Sequence, residues 1–177
     1  MDSVDFVSYY RAGSTWAVQK GNPKKIDSSD LCGNKIAVQT GTVQEDEANK
    51  IAKQCKADGK KNAEVVSYKR QAEAATAVAT GKADGFIYDQ LTIYRNWQKN
   101  PETTEAVFIP FQKVEPWGVA VRKGDAKLLN ALNAFIADYR KQGGFDRLTE
   151  KHLKAEKAAF DQLGFKWFFD MTPAQNQ

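Results

Sequence analysis

Short apolar runs alternate with stretches of helical spacing along this chain, and that alternation predicts its elements. Trp16-Ala17-Val18-Gln19 reads as a strand, closed by the turn chemistry of Gly21-Asn22-Pro23. Ile36-Ala37-Val38 reads as another strand and Thr40-Gly41-Thr42 as a turn; from Val43 to Cys55 the residues Ala48, Ile51, Ala52 and Cys55 then recur at helical spacing. The unit repeats as a strand over Glu64–Tyr68 followed by an alanine-rich helix from Ala72 to Thr80, which Gly81 stops. It repeats again as a strand over Asp84–Tyr88, after which Asp89 opens a helix running towards Trp97, halted by Asn100-Pro101. Strands alternating with helices in this way predict an α/β class, with a mainly parallel sheet flanked by helices.

Towards the C-terminus the pattern changes. Val107-Phe108-Ile109 and Gly118-Val119-Ala120-Val121 read as strands, and a long amphipathic helix is predicted from Ala126 to Lys141. Leu128, Leu129, Leu132, Phe135, Ile136 and Tyr139 share one side of it. Gly143-Gly144 ends that helix, and a further helix is predicted from Phe145 to Leu163. Gly164, an aromatic cluster of Phe165, Trp167, Phe168 and Phe169, and a polar tail follow.

Composition narrows the classes. A chain of 177 residues with 42% apolar residues has the material for a real core. Its net charge of +4 raises the question of nucleic acid, which is bound through clustered cations. Clustering is weak: Lys24-Lys25 and Lys60-Lys61 are the densest runs and acidic residues are interleaved nearly everywhere else, so no nucleic-acid partner is expected. No apolar stretch approaches the roughly 20 residues that span a bilayer. Met1-Asp2-Ser3 opens directly into a strand-like run without signal-peptide regions, which leaves two readings: a cytosolic protein, or a piece of an exported one whose leader lies upstream.

The chemistry on offer is narrow. No nucleophile elbow, phosphate-cradling glycine loop or metal-spaced carboxylate set is present, and the single His152 falls on a charged helix surface. Neither catalysis nor a cofactor is expected. Cys32 and Cys55 are too few for a metal cage. If the helix after the strand at residues 35–39 returns antiparallel across it, its end comes back to the strand's start and a Cys32–Cys55 bridge can close; two buried thiols are the other reading.

Thr40-Gly41-Thr42 stands where a strand ends and a helix begins. Free backbone N–H groups there, with the helix dipole behind them, suit an anion such as a carboxylate, whereas Thr42 can equally be a plain cap. Asp89 stands at the carboxyl end of another parallel strand, in the region where open α/β sheets bind ligands, and can likewise be a plain cap. Side by side at one sheet edge, the two can hold the carboxylate and ammonium of a zwitterion.

The order of motifs resembles the type II periplasmic solute-binding proteins, in their polar amino-acid branch. Val4-Asp5-Phe6, Tyr9-Tyr10 and Gly13 look like that family's first hinge approach, and Trp16 to Gly21 like its first crossover strand. Asp30 to Glu45 resembles the opening of the second lobe almost residue for residue; Gly81-Lys82-Ala83-Asp84-Gly85 with Asp89 is similar to the stretch ending in the ammonium-binding aspartate. Pro116 to Lys123 looks like the second crossover. The resemblance implies three segments: residues 1–20 as the end of lobe 1 with the first crossover strand, 21–113 as an α/β lobe 2, and 114–177 as the second crossover with helices returning to lobe 1.

It also implies roles. Gly41, Thr42 and neighbouring amides would hold an α-carboxylate and Asp89 an α-ammonium, while Gln39 falls where a side-chain-reading residue stands. Val43 replaces a frequent hydroxyl residue, which implies one ligand hydrogen bond fewer. The chain departs from the family at its front, where members carry an N-terminal half including a carboxylate-clamping arginine; Arg11 follows Tyr9-Tyr10 and is not that clamp. The implied function is the amino-acid-binding component of an ABC importer, here a fragment without the N-terminal half of the cleft, its parent periplasmic or extracellular and lipid-anchored. A polar amino acid, bound weakly or not at all by the fragment, and a permease are the implied partners. An extracellular sensing domain of a signalling receptor is the alternative. Apolar side chains of the C-terminal helices left without packing partners would favour a homodimer or segment exchange.

Overall fold

The computed structural model describes residues 3–27, 29–107 and 114–162. The chain divides into two compact units, one built from residues 13–113 and the other from residues 1–12 with 114–177. Strand β1, Val4–Gln19, is long enough to contribute to both.

In the unit of residues 13–113 the sheet order is β3-β2-β4-β1-β5, with β2 at Lys35–Gln39, β3 at Glu64–Tyr68, β4 at Gly85–Asp89 and β5 at Thr104–Val107. The pairs β2·β3 and β2·β4 are parallel, as crossover helices require. β1 runs antiparallel to both β4 and β5, so it is the one reversed strand of the five and the sheet is mixed but mostly parallel. The helices between these strands are α1, Val43–Ala57; α2, Gln71–Ala79; and α3, Gln90–Lys99.

The pleat sorts the core onto two faces, because successive side chains of a strand point opposite ways. Trp16, Val18, Ile36, Val38 and Ile87 pack with Ala48 and Cys55 of α1 on one face. Ala17, Ala37 and Phe86 pack with Ala74, Ala77 and Val78 of α2 and Ile93 of α3 on the other. Ile36, Ala37 and Val38 are all buried, which is why β2 reads as a continuous apolar run rather than an alternating one. Cys32 and Cys55 form a disulfide with a Cα–Cα distance of 5.5 Å, tying the end of α1 to the chain just before β2. Of the two sequence readings, bridge or thiols, the bridge is the one realised.

In the other unit β6, Val114–Arg122, pairs with β1. Gly118 lies so close to β1 that a Cβ on it would stand 2.6 Å from the Val7 carbonyl oxygen. Helix α4, Ala126–Lys141, covers this ribbon: Val7, Val121 and Ile136 form a small core with Tyr9, Leu129, Leu132 and Phe145 against it. The apolar side predicted for α4 is only partly used, since Leu128 is 47% and Phe135 62% exposed. The single helix predicted from Phe145 to Leu163 is instead two, α5 at Gly144–His152 and α6 at Lys154–Gln162. Leu153 breaks it, with φ −137° and its N–H donating to the Thr149 carbonyl; no glycine or proline marks the place, so periodicity alone ran through it. The predicted aromatic cluster at Phe165–Phe169, like Phe108-Ile109 of the strand predicted there, lies outside the described residues.

Candidate functional site

The carboxyl ends of β2 and β4 meet at one rim of the sheet. Their parallel register pairs Ile36 with Gly85 and Ala37 with Phe86, and carried three residues further it brings Thr40 level with Asp89. Neighbouring strands lie about 4.8 Å apart, so the starts of the two helices that follow are close together.

Alternation decides which side chains share a face there. Ile87 packs against α1, and Asp89, two residues on, points the same way. On β1, Trp16 pairs with Ile87 and Ser14 with Asp89, so Ser14 stands on that face too, directly opposite Asp89. The first turn of α1 reaches this spot, because the Gln44 side chain donates from Nε2 to Ser14 Oγ at 3.1 Å. Gln44, Ser14 and Asp89 therefore gather on the α1 face of the rim, with Thr42 two residues before Gln44 at the start of the same helix. Gln39 does not join them: with Ala37 it alternates onto the α2 face, where its strand partner is Tyr68.

Each candidate has a local structural task. Thr42 caps α1, its hydroxyl accepting from Glu45 N–H at 3.2 Å while donating to the Gln39 carbonyl at 2.7 Å. Asp89 caps α3, its Oδ1 accepting from Thr92 N–H at 3.0 Å. One oxygen of the Asp89 carboxylate is thus engaged by the helix, and a carboxylate has capacity for further donors on the other. Gly41 takes φ +77° and a Cβ there would meet no atom within 4 Å; the position asks for glycine through its backbone angle, not through crowding.

Glu45 closes the turn. Its carboxylate accepts from Gly41 N–H at 2.7 Å and, through the other oxygen, from the Ser67 hydroxyl on β3. These bonds, the Ser67 hydroxyl foremost and then the Gly41 amide, hold the Glu45 carboxyl below the ordinary carboxylate range. The Tyr88 phenol is pushed up, first by burial and then by the charge of Asp89 beside it. With the Glu45 and Asp46 amides bonded back to Thr42, the Val43 and Gln44 N–H groups are the ones at the start of α1 left without an acceptor in the helix, and they carry the positive end of its dipole. A positive helix end thus lies beside a carboxylate on one face.

Sequence reasoning missed Ser14, Gln44 and Glu45. The spacing Thr42-x-x-Glu45 is a legible capping signal. Nothing in the sequence marks Ser14 or Gln44, whose meeting depends on β1 lying antiparallel beside β4.

The profile of the bacterial extracellular solute-binding proteins, family 3, matches residues 1–155. The chain belongs to that family. Among curated relatives, the ABC transporter glutamine-binding protein GlnH of Bacillus subtilis is 28% identical over 158 residues, covering 88% of this chain and 54% of the relative. The L-arginine-binding protein of Pseudomonas aeruginosa is 28% identical over 173 residues, covering 92% of this chain and 61% of the relative. A solved structure, an ancestral arginine-binding protein bound to glutamine, superposes with a TM-score of 0.71 at 30% identity, over 85% of this chain and 64% of that one. This family 3 chain therefore spans between 54% and 64% of the length of these relatives.

Proposed function

We propose that the chain is the second lobe, with adjoining crossover and return segments, of the amino-acid-binding component of an ABC import system. In this reading residues 1–20 end lobe 1 and begin the first crossover, 21–113 form lobe 2, and 114–177 carry the second crossover and the returning helices. The observation that carries it is the shared face: the helix-start amides around Thr42 lie on the same side of the sheet rim as the Asp89 carboxylate. Partly positive helix-start donors beside an anion complement a zwitterion, with the ligand's carboxylate at Thr42 and the Val43 and Gln44 amides, its ammonium on Asp89, and the Gly41 amide, which the sequence reading took as free, held instead by Glu45. Gln39, at the same rim but on the α2 face, would meet only a ligand side chain that extends over the rim, away from the head group.

The names of the relatives support an amino acid as the ligand class, and the binding proteins among them support capture without turnover. The Cys32–Cys55 bridge agrees with an oxidising compartment, outside the cytoplasmic membrane, with the parent periplasmic or lipid-anchored there. A permease is the proposed partner of the whole protein. For the 177-residue chain alone, affinity should be low, because a clamshell binder encloses its ligand between two lobes. Exposed Leu128 and Phe135 favour association of two copies or segment exchange; a monomer mass by light scattering at high concentration refutes that part.

Weak binding is measurable by amide shifts. Titrating the labelled chain with L-arginine, L-glutamine, L-histidine and L-lysine should move the Thr42, Val43 and Gln44 amides, with at least one amino acid saturable at millimolar concentration. If no amino acid moves these amides, the binding reading fails.

A further inference from the structure

Gln44 is the second residue of α1, beside the amides assigned to the ligand's carboxylate, yet its side chain is turned inward and only 6% exposed. A buried amide at this position gives no cap to the helix, and left without a partner it would destabilise the fold. Its partner is a residue thirty positions earlier: Nε2 donates to Ser14 Oγ at 3.1 Å. Ser14 is in turn the cross-strand partner of Asp89. One short relay therefore runs from the start of α1 through two side chains to the strand position opposite the acid.

The other bonds at the rim do not perform this task. Thr42 bonds within its own turn to Gln39 and Glu45, and Glu45 ties that turn to Ser67 on β3, away from β4. Asp89 bonds forward into α3. Of these bonds, only Gln44–Ser14 joins the carboxylate end of the assigned site to the β1/β4 pair that carries its ammonium end. While Ser14 accepts from Gln44, its own O–H stays available to donate at the same face.

We infer that Gln44 and Ser14 are a positioning pair that fixes the separation between the helix-start amides and Asp89, matching it to the head group of an α-amino acid. This rests on the amino-acid-binding reading above. A ligand anchored at one end alone is indifferent to that separation, whereas a ligand anchored at both ends depends on it.

The test compares an amino acid with the same molecule lacking its α-ammonium: L-glutamine with glutaramate, or L-arginine with 5-guanidinopentanoate, whichever amino acid moves the Thr42–Gln44 amides. The wild-type chain should prefer the amino acid. Gln44→Met and Ser14→Ala, which remove the hydrogen bond from opposite ends, should each cut that preference roughly tenfold, about 1.4 kcal/mol. The loss should fall on the amino acid and leave the des-amino ligand unchanged, and Ser14→Thr, which keeps the hydroxyl, should restore the preference. Variants that retain the wild-type preference, or that lose both ligands in equal measure, overturn the inference and leave the pair a structural tie. So does loss of the dispersed amide spectrum in both Gln44→Met and Ser14→Ala. A wild-type chain that binds both ligands alike, or neither, refutes the zwitterion reading itself, which is a distinguishable result.

Discussion

Reduction of the Cys32–Cys55 bridge should lower the thermal stability of the unit that contains it by a calculable amount. The bond closes a loop with a sequence separation of 23 and joins the C-terminal end of α1 to the residues leading into β2. Removing it returns the closure entropy to the unfolded chain, which for a loop of this size amounts to about 3 kcal/mol. For a unit of about 100 residues the unfolding entropy near the midpoint is of order 0.2 kcal/mol/K, so the midpoint should fall by roughly 10–15 °C. Cys55 is buried in the α1-side core with Ala48 and Ile36, so a serine there would add an unpaired hydroxyl to the loss. The Cys32→Ala/Cys55→Ala double variant avoids that second effect. Circular dichroism melts of the oxidised chain, the reduced chain and the double variant separate the terms, with the double variant indifferent to reductant. The bridge holds the far end of α1 from Thr42, so well below the midpoint the Thr42 and Gly41 amide shifts should survive reduction. A midpoint that moves by less than about 2 °C on complete reduction would refute the closure-entropy reasoning.

Asp89→Asn keeps a good helix cap while removing the charge, so the melting midpoint should hold within a few degrees. Amino-acid binding should weaken at least tenfold in the amide titration, and unchanged affinity would return Asp89 to the role of a cap. Gly118→Ala drives a methyl into the Val7 backbone carbonyl and should destabilise the β1/β6 ribbon by about 1–3 kcal/mol, read as faster hydrogen exchange at Val7 and Val121. Glu45 has a folded pKa below its unfolded value, so its bonds to Gly41 and Ser67 contribute above the ordinary glutamate range and disappear as pH falls through the lowered folded value. The Gly41 amide shift should accordingly titrate with its midpoint below the ordinary glutamate value; a midpoint at or above that value contradicts those bonds.

The chain's own pattern determined most of the elements and the rim at which two of the helices start. Spacing of Ala48, Ile51, Ala52 and Cys55 fixed α1, three strand-helix repeats fixed the crossover order, and caps at Thr42 and Asp89 fixed where two helices begin. These signals are local, carried by residues within a turn or two of one another. Because crossovers put all such helix starts at one end of parallel strands, the rim itself was legible. Tertiary structure alone decided the rest. Whether β1 inserts antiparallel beside β4 depends on a partner far along the chain, and only that insertion brings Ser14 to Asp89 and Gln44 to Ser14. The pleat then separated Gln39 from the α1-face group that its sequence neighbours joined, because odd and even positions of a strand leave it on opposite sides. Likewise the unused apolar side of α4 at Leu128 and Phe135 and the break at Leu153 follow from what packs against those helices, which no local period encodes.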